Sequence, residues 1–410
     1  MLNRDIWKTL ATRFSVFGLG SIGSILLTRS LGPEGRGFYV GMISIVLVGI
    51  QLGTLGLSSS NTYYLSSGKE NGRELASNSL TLGLVVGFAL GVVGWIAADR
   101  IHGLRDGVDI ATLVAALATI PMGILLMLGQ NFLLAKGQVG AFNRVELVRN
   151  LGWMALVVIF AVALNWGHRA AIWLNFLTFT GAALWVWISL EAFGLEPRLR
   201  WHYALFRRTF GYGLKAYAVT FFGFLVLRID ALLVQEWRGA VDAGQYGVAV
   251  QLGDLILTVS TTVAMITFPK AAERGAAAWP LLRGITLATG AALAACCVIA
   301  YALAPWGIRL LFGEAFAPAA SAFRILLPGI WCLSIETLLV QYLNGLGMPI
   351  VILWCWLGAF AVNIIANAIL IPRMGIDGAG WASTFAYALM ALLVTGLVIR
   401  DRRSRAAEGA

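Results

Sequence analysis

The sequence predicts an all-α polytopic membrane protein with about 12 transmembrane helices, a prediction that depends on two observations. Of the 410 residues, 59% are hydrophobic and only 12% are charged, whereas a soluble domain has roughly 25% charged residues. Apolar runs of about 20 residues, each long enough to cross the hydrocarbon core of a bilayer, recur along the whole chain. The chain is therefore expected to fold in lipid.

The first six predicted spans are apolar runs that end at charged residues, Gly or Pro. The first of them follows a basic start but lacks a small-residue cleavage site, so we expect it to remain as a helix and not to be removed as a signal peptide. The six spans are Thr12–Ser30, Phe38–Leu65, Asn78–Ala98, Ile110–Ala135, Glu146–Leu164 and Ala170–Leu190.

The second six spans follow the same rule, after a short basic segment. They are predicted at Phe210–Gln235, Gln245–Phe268, Leu282–Trp306, Ala319–Gly345, Ile350–Ile371 and Ala379–Arg400. The intervening segment, 194–209, mixes four arginines with apolar residues that include Trp201, Leu205 and Phe206. It is predicted to be either a helix lying on the anionic leaflet or a basic linker that fixes topology.

Lysine and arginine are distributed unequally between the two sets of alternating connections. One set, which includes both ends of the chain, has 19 of them and the opposite set has 8. Because cytoplasmic loops carry the excess of positive charge, this asymmetry predicts cytoplasmic N and C termini and an even number of spans in a bacterial inner membrane. The net charge of +10 is thus explained by topology, and we expect no nucleic-acid partner.

Two short matches suggest that the halves are related. Gly37-Phe-Tyr39 opens the second span as Gly244-Gln-Tyr246 opens the eighth, and Gln130 with Gly137 corresponds to Gln341 with Gly347. A duplicated six-helix unit keeps its orientation, which predicts two lobes related by a pseudo-twofold axis along the membrane normal. We expect an N-terminal lobe at 1–193, a linker at 194–209, a C-terminal lobe at 210–400 and a tail at 401–410.

Several function classes are excluded by the sequence pattern. The four cysteines lie in apolar runs and the three histidines in separate loops, so we expect no metal site. The segment Gly18–Gly23 has dinucleotide-motif spacing, yet no strand precedes it, and its glycines, like Gly83, Gly87 and Gly91, are expected to allow close helix packing. With no loop long enough for a catalytic domain and no P-loop, we expect neither an enzyme nor a cofactor.

Charged residues inside spans are the best site candidates, because each costs about 3 kcal/mol at the bilayer centre and usually faces a watery cavity or a partner. A guanidinium and an ammonium suit a pyrophosphate group, which indicates Lys215 and Arg228 as ligands. Candidates for lining a cavity or coupling to an ion are Asp230, Asp254, Glu336 and Arg324.

Each candidate has a structural alternative. The charges can pair internally, for example Arg228 with Asp254, or extend toward the interface and position helices. Glu336, near the middle of its span, is either a protonatable coupling group or a hydrogen-bonded neutral acid. Asn363 and Asn367, four residues apart, either line a polar path or join neighbouring helices.

The segment Arg29–Tyr39, which reads RSLGPEGRGFY, resembles the opening of Wzx-like polysaccharide-export flippases of the multidrug/oligosaccharidyl-lipid/polysaccharide (MOP) exporter superfamily. Further segments are similar to the second lobe of that family: Arg228–Asp230, Gly244–Tyr246, Asn344–Pro349 and Ile371–Gly380. The resemblance covers nearly the whole chain.

The resemblance implies two six-helix lobes around a cavity, lined mainly by spans one, two, seven and eight. It implies alternating access of an undecaprenyl-pyrophosphate-linked oligosaccharide, for surface polysaccharides such as O-antigen lipopolysaccharide or exopolysaccharide. Lys215, Arg228 and Arg13 would then hold the pyrophosphate. Membrane lipids, a polysaccharide polymerase and a chain-length regulator would be the remaining partners.

Two competing hypotheses remain open at the level of sequence. A cation-coupled multidrug exporter would share the fold, and the three acids Asp230, Asp254 and Glu336 are compatible with it. A membrane scaffold for a glycan-synthesis complex would transport nothing. Substitution of Arg228 separates these hypotheses, because a scaffold tolerates it and a pyrophosphate flippase does not.

Overall fold

The computed structural model describes the backbone of residues 2–101, 103–105, 107–347 and 350–408. Side chains are described for most of these residues; those outside the description include residues 1–17, 161–162, 212, 215–216, 406 and 408. The described chain is built from helices joined by short connections, which confirms the all-α prediction.

Six helices and one π-helical segment make up the first half. The helices are α1 (Leu2–Gly53), α2 (Leu57–Ser66), α3 (Gly72–Arg100), α4 (Ile110–Ala135), α5 (Val139–Leu156) and α6 (Gly167–Ala192). The π-helical segment, Val157–Ala163, continues α5 directly. The first predicted span lies in α1, and the second, Phe38–Leu65, is divided between α1 and α2. Helix α1 is broken at Gly32, where φ is 67° and ψ is 178° and Pro33 follows. Glycine tolerates this left-handed φ, and proline begins a new helical segment without needing an N–H donor.

The second half contains six long helices. They are α7 (Tyr203–Arg238), α8 (Ala240–Arg274), α9 (Trp279–Phe312), α10 (Ala319–Gly345), α11 (Val351–Met374) and α12 (Ile376–Glu408). The bounds of α4 and α10 coincide with the predicted spans. Within the described residues, nine helical stretches are long and apolar enough to cross a membrane, and one of them, Ala240–Phe312, contains two predicted spans.

The chain forms two compact units. The first contains Met1–Phe221 and Gly239–Gly244, and the second contains Phe222–Arg238 and Gln245–Ala410. In the first unit α4 packs against α3 and α6, and in the second α12 packs against α10 and α11. The fold is thus two-lobed, as predicted.

Small residues bring helices of the first unit together. A Cβ atom added at Gly87 would lie 2.5 Å from the Pro121 backbone, and one at Gly83 would lie 2.9 Å from the Leu125 side chain. A Cβ atom at Gly23 would lie 2.8 Å from the Trp153 ring. These three glycines allow close approach of α3 to α4 and of α1 to α5, as predicted. At Gly18, by contrast, an added Cβ atom would meet nothing within 4 Å.

The tightest approach in the first unit joins α1 to the start of α8. A Cβ atom at Gly37 would lie 1.8 Å from the Ala240 carbonyl oxygen, and one at Gly244 would lie 2.0 Å from the Pro33 carbonyl oxygen. Real Cβ atoms do not approach so closely. Backbone therefore meets backbone here, which only glycine permits.

The segment before α7 is extended up to Tyr203, so the alternative of a surface helix across the whole segment is wrong. Three side chains of α3 hold its backbone: the Ser77 hydroxyl accepts from the Arg198 amide, and the Thr81 hydroxyl donates to the Arg200 carbonyl. Asn78 donates to the His202 carbonyl at 3.0 Å and accepts from its amide at 2.6 Å. Since helical backbone bonds would compete with these contacts, the linker stays extended.

Candidate functional site

Arg228 on α7 and Asp254 on α8 form an ion pair inside the second unit. The guanidinium Nη1 lies 2.9 Å from the carboxylate Oδ2, and the two side chains are 32% and 35% exposed. The internal pairing of Arg228 with Asp254, which the sequence offered as an alternative to ligand binding, is therefore present. Because both side chains keep about a third of their surface exposed, the pair is not fully enclosed by the protein.

Asp230, two residues after Arg228, is only 2% exposed. An α-helix turns about 200° over two residues, so the two side chains point to nearly opposite sides of α7. The Asp230 carboxylate accepts from Tyr246 Oη at 3.1 Å, from Asn367 Nδ2 at 2.8 Å and from the Ser383 hydroxyl. One buried carboxylate thus joins α7 to α8, α11 and α12.

The buried Asp230 cluster has unused hydrogen-bonding capacity. Asn367 Nδ2 also lies 3.1 Å from Asn363 Oδ1, while Asn363 Nδ2 and Asn367 Oδ1 are buried without a partner among the described atoms. Within the described part of the chain, no lysine or arginine forms an ion pair with Asp230. A carboxylate, amide oxygens and hydroxyls are ligands that suit a proton or a small hard cation.

Tyr387 lies one helical turn after Ser383 on α12 and is 6% exposed. Its ring belongs to the apolar cluster that includes Val226. Tyr387 therefore packs in the core of the second unit, one turn from a hydrogen-bond donor to the buried carboxylate.

The remaining described candidates lie elsewhere. Glu336 on α10 is 3% exposed, and its nearest hydrogen-bond donor, the Thr337 hydroxyl, is 3.5 Å away. Arg324 donates from Nε to the Tyr301 carbonyl at 2.8 Å, and its guanidinium lies 4.8 Å from the centre of that tyrosine ring. Neither residue contributes a hydrogen bond to the Asp230 cluster.

Lys215 and Arg13, the other proposed pyrophosphate ligands, lie within α7 and α1 respectively. Their side chains are outside the described part of the structure. Their role as pyrophosphate ligands therefore stays a prediction from the sequence. In the described residues, no group of three or more His, Cys, Asp or Glu side chains has the arrangement of a metal site.

Sequence reasoning missed a polar cluster in the first unit. Glu146 on α5 accepts from Gln130 on α4 at 2.8 Å, from Arg149 at 3.3 Å and from Asn150 at 3.3 Å. The predicted fifth span, Glu146–Leu164, contains these residues of α5, which begins at Val139, but they were not considered as a site. Polar residues at 146, 149 and 150, with Trp153 one turn further, have helical spacing, and that signal could have identified the cluster.

A comparison with known protein families gives a match to the polysaccharide biosynthesis protein family over residues 3–273. The chain belongs to this family. The membership confirms the resemblance to Wzx-like proteins. The matched part of this polysaccharide biosynthesis protein includes the Arg228–Asp254 pair and Asp230.

Solved structures with a similar fold are transporters of the MOP superfamily. An inward-facing multidrug MATE transporter is 16% identical with a TM-score of 0.77, covering 96% of this chain and 95% of its own. The lipid II flippase MurJ, in an inward closed conformation, is 13% identical with a TM-score of 0.77, covering 95% and 87%. A MATE transporter of Vibrio cholerae is 16% identical with a TM-score of 0.65, covering 98% and 97%. These likenesses establish the fold.

A curated relative adds a local match. An uncharacterized membrane protein of Methanocaldococcus jannaschii is 37% identical over 84 residues, which is 20% of this chain. This chain spans only 16% of that relative's length. The polysaccharide biosynthesis protein described here is thus a multi-pass membrane protein with the MOP-superfamily fold.

Proposed function

We propose that this protein is a flippase that moves an undecaprenyl-pyrophosphate-linked oligosaccharide from the cytoplasmic to the periplasmic leaflet by alternating access. Membership in a polysaccharide biosynthesis family supports the substrate class. The shared fold with MurJ, described as a lipid II flippase, supports the reaction. The observation that carries the proposal is the half-exposed Arg228–Asp254 ion pair inside the second unit.

The chemistry of this pair suits exchange of a carboxylate for a pyrophosphate. About a third of each side chain in this ion pair is exposed, so the guanidinium is not sealed off by the protein. A pyrophosphate carries more negative charge than one carboxylate, and each additional charge about 4 Å away is worth about 4 kcal/mol at an effective dielectric constant near 20. Arg228 therefore favours an arriving pyrophosphate over Asp254, and its planar fork can bind two phosphate oxygens.

The other candidate ligands complete the proposed site. Lys215 and Arg13 supply further positive charge for the pyrophosphate, while the sugars occupy a polar cavity and the lipid tail remains in the bilayer. Before substrate arrives, Asp254 neutralises Arg228 and so avoids an isolated intramembrane charge. In this scheme Asp254 competes with the substrate and is not a ligand for it.

Asp230 is the proposed coupling group. Its carboxylate accepts hydrogen bonds from α8, α11 and α12 and has no ion pair among the described side chains. Uptake of a proton or a small cation at Asp230 would change the hydrogen bonds that hold these helices together. The same observation favours a second candidate function, a cation-coupled exporter of small molecules, and Glu336 is a further buried acid that suits it.

A leaflet-sidedness assay in cells that lack the protein tests the proposal. We expect lipid-linked oligosaccharide to accumulate on the cytoplasmic face, with export restored by the wild type and not by Arg228→Ala. Arg324→Ala is the matched control, since Arg324 already binds the Tyr301 carbonyl; it should restore export. Normal sidedness in the deletion strain, in the absence of a second flippase, would contradict the proposal and favour small-molecule export.

A further inference from the structure

The π-extended helix α5 presents two different faces within the first unit. Val148 and Leu151 are 51% and 40% exposed, and Ile159, on the π-helical segment, is 50% exposed. Such an apolar face suits contact with lipid chains. Glu146, Arg149 and Trp153 lie on other sides of the helix, and Trp153 packs beside Gly23 of α1.

The polar face is centred on the Glu146 carboxylate. Gln130 on α4 donates to Glu146 Oε1 at 2.8 Å, and Arg149 and Asn150 donate to Oε2 at 3.3 Å each. The guanidinium of Arg149 also lies 5.2 Å from the ring centre of Phe179 on α6. The cluster therefore draws on α4, α5 and α6.

Two properties of this polar cluster favour a ligand-binding role over a purely structural one. In the Glu146–Arg149 ion pair, 20% of the Arg149 side chain and 24% of the Glu146 side chain are exposed. Neither residue lies on the apolar face of α5 that Val148 and Leu151 form. Two donors, Arg149 Nε and Trp153 Nε1, are buried without a partner among the described atoms. A structural cluster is expected to satisfy its buried donors.

The balance of charge indicates the class of ligand. Glu146 neutralises Arg149, so the cluster has no net charge and its carboxylate repels an anion such as pyrophosphate. A neutral polyhydroxyl ligand fits better, because each hydroxyl both donates and accepts hydrogen bonds. Carboxylate and amide oxygens accept from such hydroxyls, guanidinium and amide N–H groups donate to them, and the ring of Trp153 adds an apolar surface.

The position of the cluster is consistent with such a role. The π-helical segment Val157–Ala163 begins one turn after Trp153. π-helical turns are rare and are frequent at functional sites, where they shift the register of the helix. Glu146 and Trp153 thus lie on the α-helical part that leads directly into this irregular segment.

We propose that Gln130, Glu146, Arg149, Asn150 and Trp153 form a saccharide subsite, which binds sugar hydroxyls of the transported lipid-linked oligosaccharide. The subsite rests on the proposed flippase function and is separate from the pyrophosphate ligands. It assigns recognition of the glycan to the first unit. Glu146 is the central acceptor, and Gln130 positions it.

A binding experiment with two probes tests the subsite. Full-length protein in nanodiscs is titrated with the lipid-linked oligosaccharide extracted from the native membrane, and with undecaprenyl pyrophosphate that carries no sugar. We expect Glu146→Gln and Gln130→Ala each to weaken binding of the sugar-bearing probe about tenfold and to leave binding of the sugar-free probe unchanged. About tenfold corresponds to the loss of one good hydrogen bond to a charged group.

Two controls separate the possible failures. Glu191→Gln, at an exposed position on α6, removes the same charge outside the cluster and should change neither affinity. Arg228→Ala should weaken both probes equally. Thermal unfolding of each variant identifies loss of folding, and Glu146→Gln keeps the shape of the side chain if Gln130→Ala proves unstable.

The outcomes have distinct meanings. The saccharide subsite is wrong, while the flippase proposal stands, if Glu146→Gln and Gln130→Ala leave the affinity for the sugar-bearing probe unchanged. The same holds if they lower the affinity for both probes equally. If the wild type binds neither probe, the flippase proposal fails and the subsite fails with it. Weaker binding of the sugar-bearing probe alone supports both the saccharide subsite and the flippase proposal.

Discussion

Asp230 on α7 accepts a 2.8 Å hydrogen bond from the side-chain amide of Asn367 on α11, 137 residues further along the chain. Two more donors, from Tyr246 and Ser383, converge on the same carboxylate. Asp230→Ala would leave these buried donors unpaired, at about 1–3 kcal/mol for each. We expect a clear loss in the free energy of unfolding, measured as a lower melting temperature in detergent.

Asp230→Asn is the matched variant for the same carboxylate. It keeps the shape of the side chain and one acceptor oxygen, so it should be destabilised much less than Asp230→Ala. If Asp230 is the coupling group, Asp230→Asn flips lipid-linked oligosaccharide at a rate that no longer depends on the proton or sodium gradient. Wild-type gradient dependence in a stable Asp230→Asn protein would rule out coupling at this position.

Asp254→Asn tests whether Asp254 competes with the substrate for Arg228. Removing the carboxylate's charge frees the guanidinium, so we expect undecaprenyl pyrophosphate to bind more tightly than it does to the wild type. Arg228→Lys should bind more weakly, because an ammonium cannot match two phosphate oxygens with a planar fork. Titration in nanodiscs measures both affinities, and weaker binding to Asp254→Asn would make Asp254 a substrate ligand.

Gly37→Ala places a Cβ atom where the Ala240 carbonyl oxygen now lies. Because backbone atoms cannot move aside as a flexible side chain does, α1 and α8 must separate at this point. We expect a lower melting temperature and faster proteolysis. Gly181→Ala on α6, where an added Cβ atom meets nothing within 4 Å, is the control and should be neutral or slightly stabilising.

Asn78→Ala removes both hydrogen bonds to the backbone of His202. Each is a side chain–backbone bond of ordinary strength, so the loss is expected to be about 1–3 kcal/mol in total. Amide hydrogen exchange at residues 198–203 should accelerate while exchange in α4 stays unchanged. Equal protection of the linker in variant and wild type would show that other contacts hold it.

Asp109 makes the stability of α4 dependent on pH. Hydrogen bonds from the Thr112 side chain and backbone amide hold the pKa of the Asp109 carboxyl below its usual value. A lowered pKa means that the stabilisation is present above the unfolded value of about 3.9 and is lost as the pH falls through the lower folded value. The melting temperatures of wild type and Asp109→Ala should differ at pH 7 and converge in acid; a constant difference would contradict this.

The sequence was most informative about which segments form helices and least informative about contacts. Ile110–Ala135 and Ala319–Gly345 were predicted to the residue, because an apolar run that ends at a polar or charged boundary defines a span in lipid. The sequence left open whether 194–209 is a surface helix or a linker, since its course depends on α3 side chains about 120 residues away. Composition alone does not encode those partners.

The same limit applies to the candidate sites. Asp230, Asn363 and Asn367 were recognised as costly polar groups within spans, but nothing in the sequence indicated that they meet. The predicted fifth span began at Glu146, although α5 begins seven residues earlier, at Val139. A charge that is neutralised by a residue three positions away, as Arg149 is by Glu146, does not end a helix.

The linker between α6 and α7 is held by backbone contacts to α3 and by the ion pair of Glu196 with Arg73. Asn78, Ser77 and Thr81 bind amide and carbonyl groups that every residue type except proline provides. The side chain of Leu199, which is 68% exposed, can therefore be replaced by a spin label or a fluorophore without changing the path of the chain. Such a probe would report on the membrane environment from a fixed anchor point.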